Sequence, residues 1–458
     1  WPLRGNCKHS TQINVGFTGS TFYPPCEGLY MNDSLPTARE AEHPQQSFSA
    51  LRNPSFRWFF IGNALAMMAD NIEHVISYWV IFQKFQSPTL AGFAVISHWV
   101  PFLLFSIWSG ALADKYDPRR VIQWGMYLFM LVTLTWGILF LTDSLEVWHA
   151  VILLVIHGFA GVLWGPAAQM MIHEIVGREH LQSGVRLMAT SLTLGILLGP
   201  AVGGGLMLWL GPSLGIIVNA LIYLPLILWL WKAPFGPAFK IKKDQRPVQP
   251  IKGFADIIET VKIVSSQRTI MTMTLLAGAA SLFVGNAYHA QMPEFTLDLL
   301  PNDNGTFYAI LLTASGIGAL TAGIVLESRN LLQARPRTVF YLVFLWCIII
   351  VGFAASSNAY LSVILLFIAG FLELTYKSMA QTLVQLRAPS EMRGRVIGLF
   401  NMSSLGLKSF SGFTVGIGGA VVGIHWSLGI SAILLLAFTI ILLFFAQGFR
   451  PKMTPNEN

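Results

Sequence analysis

Twelve runs of predominantly apolar residues, each close to the length of a membrane span, occupy the chain between residues 56 and 447. A helix rises about 1.5 Å per residue, so about 20 apolar residues cross the ~30 Å of hydrocarbon in a bilayer. Hydrocarbon offers the backbone no hydrogen-bond partner, so each run must satisfy itself as a helix. The runs are 56–83, 88–112, 119–141, 148–174, 183–210, 213–231, 270–293, 305–327, 338–356, 358–386, 394–420 and 425–447. Charged residues make up only 11% of the chain, against about a quarter in soluble domains. The expectation is an all-α membrane protein of twelve transmembrane helices.

The gaps between runs alternate in charge. Those near 115–120, 178, 232–268, 329–337, 387–395 and 450–452 carry Lys and Arg. Those at 142–147, 211–213, 294–304, 357–359 and 421–424 carry none, and Lys84 alone falls in a gap on that side. Basic residues mark the cytoplasmic face, so both termini are expected in the cytoplasm, which requires an even span count. This placement also disposes of nucleic acid as the reason for the net charge of +7. The cations lie in short loops between spans, not on one binding face.

Residues 1–50 form a polar tail without the basic-then-apolar layout of a secretory signal. The chain begins at Trp1, and Met31 is read as the native start, with 1–30 upstream of it or foreign to it. One long basic break, 233–268, divides the spans into bundles at 51–232 and 269–447, and 448–458 is a C-terminal tail. Within the break, Phe254–Ile263 is amphipathic and is expected to lie on the membrane surface. Cys7, Cys26 and Cys347 have no metal-ligand or disulfide spacing, and no metal or cofactor is expected. The bundles repeat each other. Gly110 to Asp114 at the end of the second run matches Gly323 to Glu327 at the end of the eighth, 213 positions later. Ala168-Gln169 matches Ala380-Gln381, and Glu179 matches Glu391, both at 212. Same-orientation repeats of this kind build one large class of transporter, with its substrate site between the halves near mid-membrane.

The most specific local signal is Gly110-Ala-Leu-Ala-Asp114-Lys115-Tyr-Asp-Pro-Arg119-Arg120. It resembles the loop motif between the second and third spans of the major facilitator superfamily, in its branch of siderophore and drug exporters. Asp117 stands where the family pattern has Gly. The resemblance covers roughly residues 51–447 and implies two six-helix bundles. It also implies that Asp114 bonds the start of the eleventh span, near Arg393-Gly394-Arg395, as a latch that breaks when the bundles rock. Anchoring of topology by the basic residues alone is the plainer reading. Gly195, Gly199, Pro200 and Gly203 resemble part of the fifth-span motif of proton-coupled exporters. Small residues four apart allow close packing and Pro200 is expected to bend the helix. Related antiporters carry an Arg early in the fourth span, and Val151–Ile156 here has none.

Ionisable groups inside a span cost about 2.5–3.5 kcal/mol each on insertion scales, so each needs a reason. Asp70 and Glu73 lie in the first run, Asp70 about 21 Å along it, and His74 follows. Glu373 and Lys377 are four apart in the tenth and can pair. Lys408 lies in the eleventh, His157 in the fourth, and Asn286 and His289 in the seventh. In the family fold the first, fourth, seventh and tenth spans line the cavity. Asp70, Glu73 and Glu373 are candidates for proton coupling. His74, His157, Trp164, Asn286, His289, Tyr376, Lys377 and Lys408 are candidates for the cavity. A purely structural pair, such as Asp70 with Lys408, is the alternative, and His98 reads as structural.

No Gly-rich phosphate loop is visible, so an ion or substrate gradient must drive any transport. The expectation is a proton-coupled exporter of a siderophore or hydrophobic drug, monomeric, in a bacterial inner membrane. A lipid flippase or nutrient importer is the alternative on the same fold. A membrane-embedded enzyme is disfavoured because the histidines are scattered along the chain.

Overall fold

The computed structural model describes residues 47–85, 88–235, 254–285, 292–300, 306–329, 332–411 and 418–447. All of the described regular structure is helical. The helices are α1 Pro54–Phe85, α2 Pro88–Lys115, α3 Pro118–Leu141, α4 Val147–Val176, α5 Leu181–Ala220, α6 Leu224–Lys232, α7 Phe254–Ser266, α8 Arg268–Phe283, α9 Met292–Leu299, α10 Thr306–Ser328, α11 Pro336–Ala354, α12 Ala359–Arg387, α13 Arg393–Asn401 and α14 Ile424–Gln447. The expected polar tail, its Met31 start and the tail beyond 447 lie outside the described residues.

Eight described stretches are long and apolar enough to cross a membrane. One of them, Leu181–Lys232, is 52 residues long and holds two expected spans. It breaks at Gly211, whose φ of 76° suits glycine. The chain then doubles back, so that a Cβ on Gly215 would lie 3.2 Å from the Leu206 carbonyl. The break comes there and not at Pro200, which lies within regular helix on its exposed side. Two other expected spans are not single helices among the described residues. In the run at 270–293, α8 ends at Phe283, α9 begins at Met292, and 286–291 lie outside the described residues. The run at 394–420 passes from α13 into a π-helical turn, Met402–Gly406, and a short helix, Lys408–Ser411.

Local chemistry sets several helix starts. The Asp117 side chain caps α3 by accepting from Arg119 N, with Pro118 at the first helical position. Asn358 caps α12 through Leu361 N. At the opposite end of the helices from Asp117, Lys84 is held by Asp143 at 2.6 Å. The side chains Leu208, Trp209, Ile441 and Phe444 remain exposed, as expected of surfaces that meet acyl chains.

Packing follows the small residues. Gly195, Gly199 and Gly203 set α5 against α1, where added Cβ atoms would lie 2.7 Å from Met68 N, 2.4 Å from Asn71 Cβ and 3.2 Å from Ile72 Cα. In the second half of the chain Gly318 and Gly370 do the same for α10 and α12. Their Cβ atoms would lie 1.9 Å from Phe367 O and 2.0 Å from Ser315 O. Two large buried clusters result, one drawn from Ala50 to Leu230 and one from Val264 to Leu442. Each holds one residue of the other half of the chain: Ile397 of α13 in the first, Ile107 of α2 in the second. The amphipathic segment at 254–263 forms α7, which lies against α13 and α2.

Overpacking of a tight core costs about 1–3 kcal/mol, and at Gly370 the obstacle is backbone, which cannot swing aside. Gly370→Val should therefore lower the thermal unfolding midpoint of the detergent-purified protein. Gly352→Val, where the nearest atoms are 3.7 Å away in the flexible Leu365 side chain, should leave it almost unchanged.

Candidate functional site

Asp70, Glu73 and His74 stand at i, i+3 and i+4 on α1, so they share one helix face. That face meets α2, α3 and α4. His157 of α4 lies between the two carboxylates, its Nε2 2.9 Å from Asp70 Oδ1 and its Nδ1 2.9 Å from Glu73 Oε1. Each ring nitrogen of His157 thus faces a carboxylate oxygen, and the Nδ1 contact with Glu73 is a hydrogen bond. The Thr133 hydroxyl of α3 donates to Glu73 Oε2, and His74 Nδ1 lies 3.7 Å from Asp70 Oδ2. Asp70, Glu73 and His157 are all at most 5% exposed. Buried ionisable groups persist when they are paired, and here an imidazole stands between two carboxyl groups.

The sequence reading assigned His98 a structural place, yet its ring lies 4.9 Å from His74 and 5.6 Å from His157, centroid to centroid. One ring nitrogen from each of the three histidines falls within 4.8 Å of the others, but both His157 nitrogens already face carboxylate oxygens, so a metal ion there would have to displace one of those contacts. The residues come from α1, α2 and α4, and no spacing along the chain betrays such a set.

Glu373 and Lys377 of α12 bond to each other across one helical turn. Lys408 does not pair with Asp70. Its Nζ sits over the Trp99 ring of α2, 4.6 Å from the centroid. Two expected cavity residues belong to the core instead. Trp164 packs edge-on to Phe129 and donates from Nε1 to Asn63 Oδ1 at 2.9 Å. Tyr376 is 1% exposed and lies 5.3 Å from Trp346. Both are large aromatic side chains that fill gaps between helices. Asn286 and His289 lie outside the described residues.

At the end of the helices that carries the loop motif, several contacts join the halves of the chain, two of them built on buried or half-buried carboxylates. Asp114 accepts from Gly394 N at 2.7 Å and from Arg395 N at 2.9 Å, so its carboxylate sits on the amide end of α13, where the helix dipole favours an anion. Gly110 makes room, since a Cβ there would lie 2.0 Å from Gly394 O. Arg119 is gripped by Asp117 and donates to the Ala233 carbonyl. The Asp at the family's Gly position is thus both a helix cap and an arginine partner. Arg120 bonds Gln123, and Lys115 lies over the Tyr116 ring.

The repeat position of Asp114 is Glu327, at the end of α10. It accepts from the Ser183 hydroxyl and pairs with Arg186 of α5 at 3.1 Å. Arg186 also donates to the Leu326 carbonyl at 2.6 Å. Arg186 and Glu327 are each 2% exposed. The repeat pointed to Glu327. It gave no sign of Arg186, because the Asp114 contact uses backbone donors where this one uses a side chain.

Residues 45–453 match the family model described as transmembrane secretion effector. The staphyloferrin A transporter of Staphylococcus aureus is 22% identical over 88% of this chain and 99% of its own length. The enterobactin exporter EntS of Escherichia coli is 23% identical over 89% and 96%. Among solved structures, a bacterial homologue of the iron transporter ferroportin in an outward-facing state superposes with a TM-score of 0.64 at 15% identity, over 86% of this chain and 98% of that one. The major facilitator superfamily transporter FucP in its outward conformation gives 0.66 at 13%, over 85% and 98%.

Removing one member of a buried ion pair leaves the other uncompensated, at a cost of about 3–5 kcal/mol. Arg186→Met should markedly lower the thermal midpoint in detergent. The double variant Arg186→Met/Glu327→Leu should recover most of the loss. A double variant as unstable as the single one would show that the arginine acts through its other contacts.

Proposed function

The chain belongs to the transmembrane secretion effector family of the major facilitator superfamily, a family of integral membrane transporters, and on that premise we propose that it exports a small amphipathic molecule, a siderophore or hydrophobic drug, in exchange for protons. The observation that carries the proposal is the buried Asp70–His157–Glu73 cluster. Ionisable side chains within membrane helices mark ion pathways and relays. This one joins α1 and α4 through groups that can each hold or release a proton, and the Thr133 hydroxyl of α3 donates to it. Proton arrival would change the charge balance that binds these helices to each other. That is the kind of local change that shifts a two-state packing. Both curated relatives carry siderophore names, which favours a siderophore over a drug as the cargo.

In this reading the bundles 51–232 and 269–447 rock about a midplane site and 233–268 links them on the cytoplasmic side. Both termini face the cytoplasm of a bacterial inner membrane, and the transporter works as a monomer. Asp114 on the amide end of α13 and Glu327 on Arg186 close the cytoplasmic end together. Their release would accompany opening to the inside. With both made, the protein rests in an outward-facing state, in keeping with the outward conformations of its structural neighbours.

Inverted membrane vesicles holding the full chain, energised with a proton gradient and followed with a pH dye, test the proposal. Enterobactin or staphyloferrin A should collapse the gradient, and Asp70→Asn should abolish the response. A response that persists in both Asp70→Asn and Glu73→Gln would remove the cluster from coupling. No response to a panel of siderophores and hydrophobic drugs, with folded protein present, would turn the assignment toward lipid transport or import.

A further inference from the structure

Lys408 is an amine in the middle of the helices that meets no anion among the described residues. Among the described residues, Lys377 pairs with Glu373, Arg186 with Glu327 and Arg395 faces Glu259. Lys408 has no carboxylate within ion-pair distance. The charged groups it feels from α12 are Lys377 and Glu373, which are already bonded to each other. On its α2 side it meets His98 and Trp99, and the contact with Trp99 is to the ring face. A cation over an indole gains about 0.5–2 kcal/mol, which is less than an intramembrane charge costs on insertion scales. Lys408 as a whole residue is half-buried and not sealed in the core.

The backbone places it there deliberately. The π-helical turn at Met402–Gly406 adds a residue to the winding, which rotates everything after it by about 100° relative to an unbroken helix. Gly406 lies against α2, where a Cβ would be 2.5 Å from Leu103 Cα. Trp99 is one turn before Leu103 on α2, so the close approach at Gly406 brings Lys408 over the indole. Phe102 stands 6.1 Å from Trp99 and His98 4.7 Å, giving α2 an aromatic wall beneath the cation. Trp99 and Lys408 come from opposite halves of the chain. A ligand between them would touch both.

We propose that Lys408 and Trp99 form a recognition site for the anionic group of an organic acid, a carboxylate, whose planar or apolar body lies along the α2 aromatic wall. The ammonium supplies the charge-assisted hydrogen bond and the ring keeps the site from being neutralised by a protein carboxylate. As the cargo site of an exporter it rests on the function proposed above. As a binding site it does not, because binding can be measured without transport.

Equilibrium dialysis of the full chain in neutral detergent, with salicylate and its uncharged analogue salicylamide as probes, tests the site. Salicylate should bind saturably and salicylamide much more weakly. Lys408→Gln should weaken salicylate by about tenfold or more, the loss expected for one charge-assisted bond. Lys408→Arg should retain most of the binding, and both variants should keep the wild-type melting temperature. Equal binding of the two probes, or salicylate binding unchanged in Lys408→Gln, would overturn the proposal. A second arm places the protein in nanodiscs of phosphatidylcholine with and without phosphatidylglycerol. Loss of salicylate binding with the anionic lipid would assign the lysine to a lipid headgroup and overturn the solute site. Lys408-dependent salicylate binding beside an absent siderophore response in vesicles would sink the siderophore reading and leave the anion site standing. Siderophore-driven gradient collapse unaltered by Lys408→Gln would do the reverse.

Discussion

Hydrocarbon solvates neither a bare peptide group nor a bare charge, and each helix of this protein is arranged around that fact. Peptide groups are satisfied within helices, which frees side chains to decide how the helices meet. Where two helices must come closest, the side chain is absent altogether: Gly318 and Gly370 bring α10 onto α12, and Gly195, Gly199 and Gly203 bring α5 onto α1. Where charge must enter, it arrives with its partner, as His157 does between Asp70 and Glu73. Against that rule Lys408 stands out, because its partner within the described protein is only an aromatic face.

The two halves of the chain meet along seams of different chemistry. Between α2 and the segment from α13 to the π-helical turn, contact is backbone on backbone, with Gly110, Gly394, Gly398 and Gly406 all at the seam. Between α5 and α10 it is made by side chains, Ser183 and Arg186 with Glu327. Asp114 and Glu327, the two positions matched in the sequence, thus hold their seams through unlike bonds.

Much of this was legible in the sequence, and the reasons differ by feature. Long apolar runs could be placed within a few residues, since hydrophobicity and the lack of backbone solvation leave helix as the one option. The contact of Asp114 with the start of α13 could be read because the motif is local and its partner lies at a fixed place in the family. The break at Gly211 falls in the gap at 211–213 between two apolar runs, whereas the π-helical turn at Met402–Gly406 has no comparable sign. The meeting of His98 with His74 and His157, and of Lys408 with Trp99, joins separate helices. Their encounter depends on helix rotation, which a single sequence does not report. For the same reason Trp164 and Tyr376 looked like ligand-facing aromatics and proved to be packing residues.

The unlike seams have a consequence for the order of events when the closed end comes apart. Parting α2 from α13 uncovers peptide amides and one carboxylate that was already partly exposed, groups that water can meet one at a time. Parting α5 from α10 must strip Arg186 from Glu327 in a place that water does not reach. Nothing replaces that bond until the gap is wide enough to be wetted. In the transport cycle proposed above, the bonds of the first seam would be exchanged for water as it opened, whereas the buried ion pair of the second would have to be given up before water could replace it.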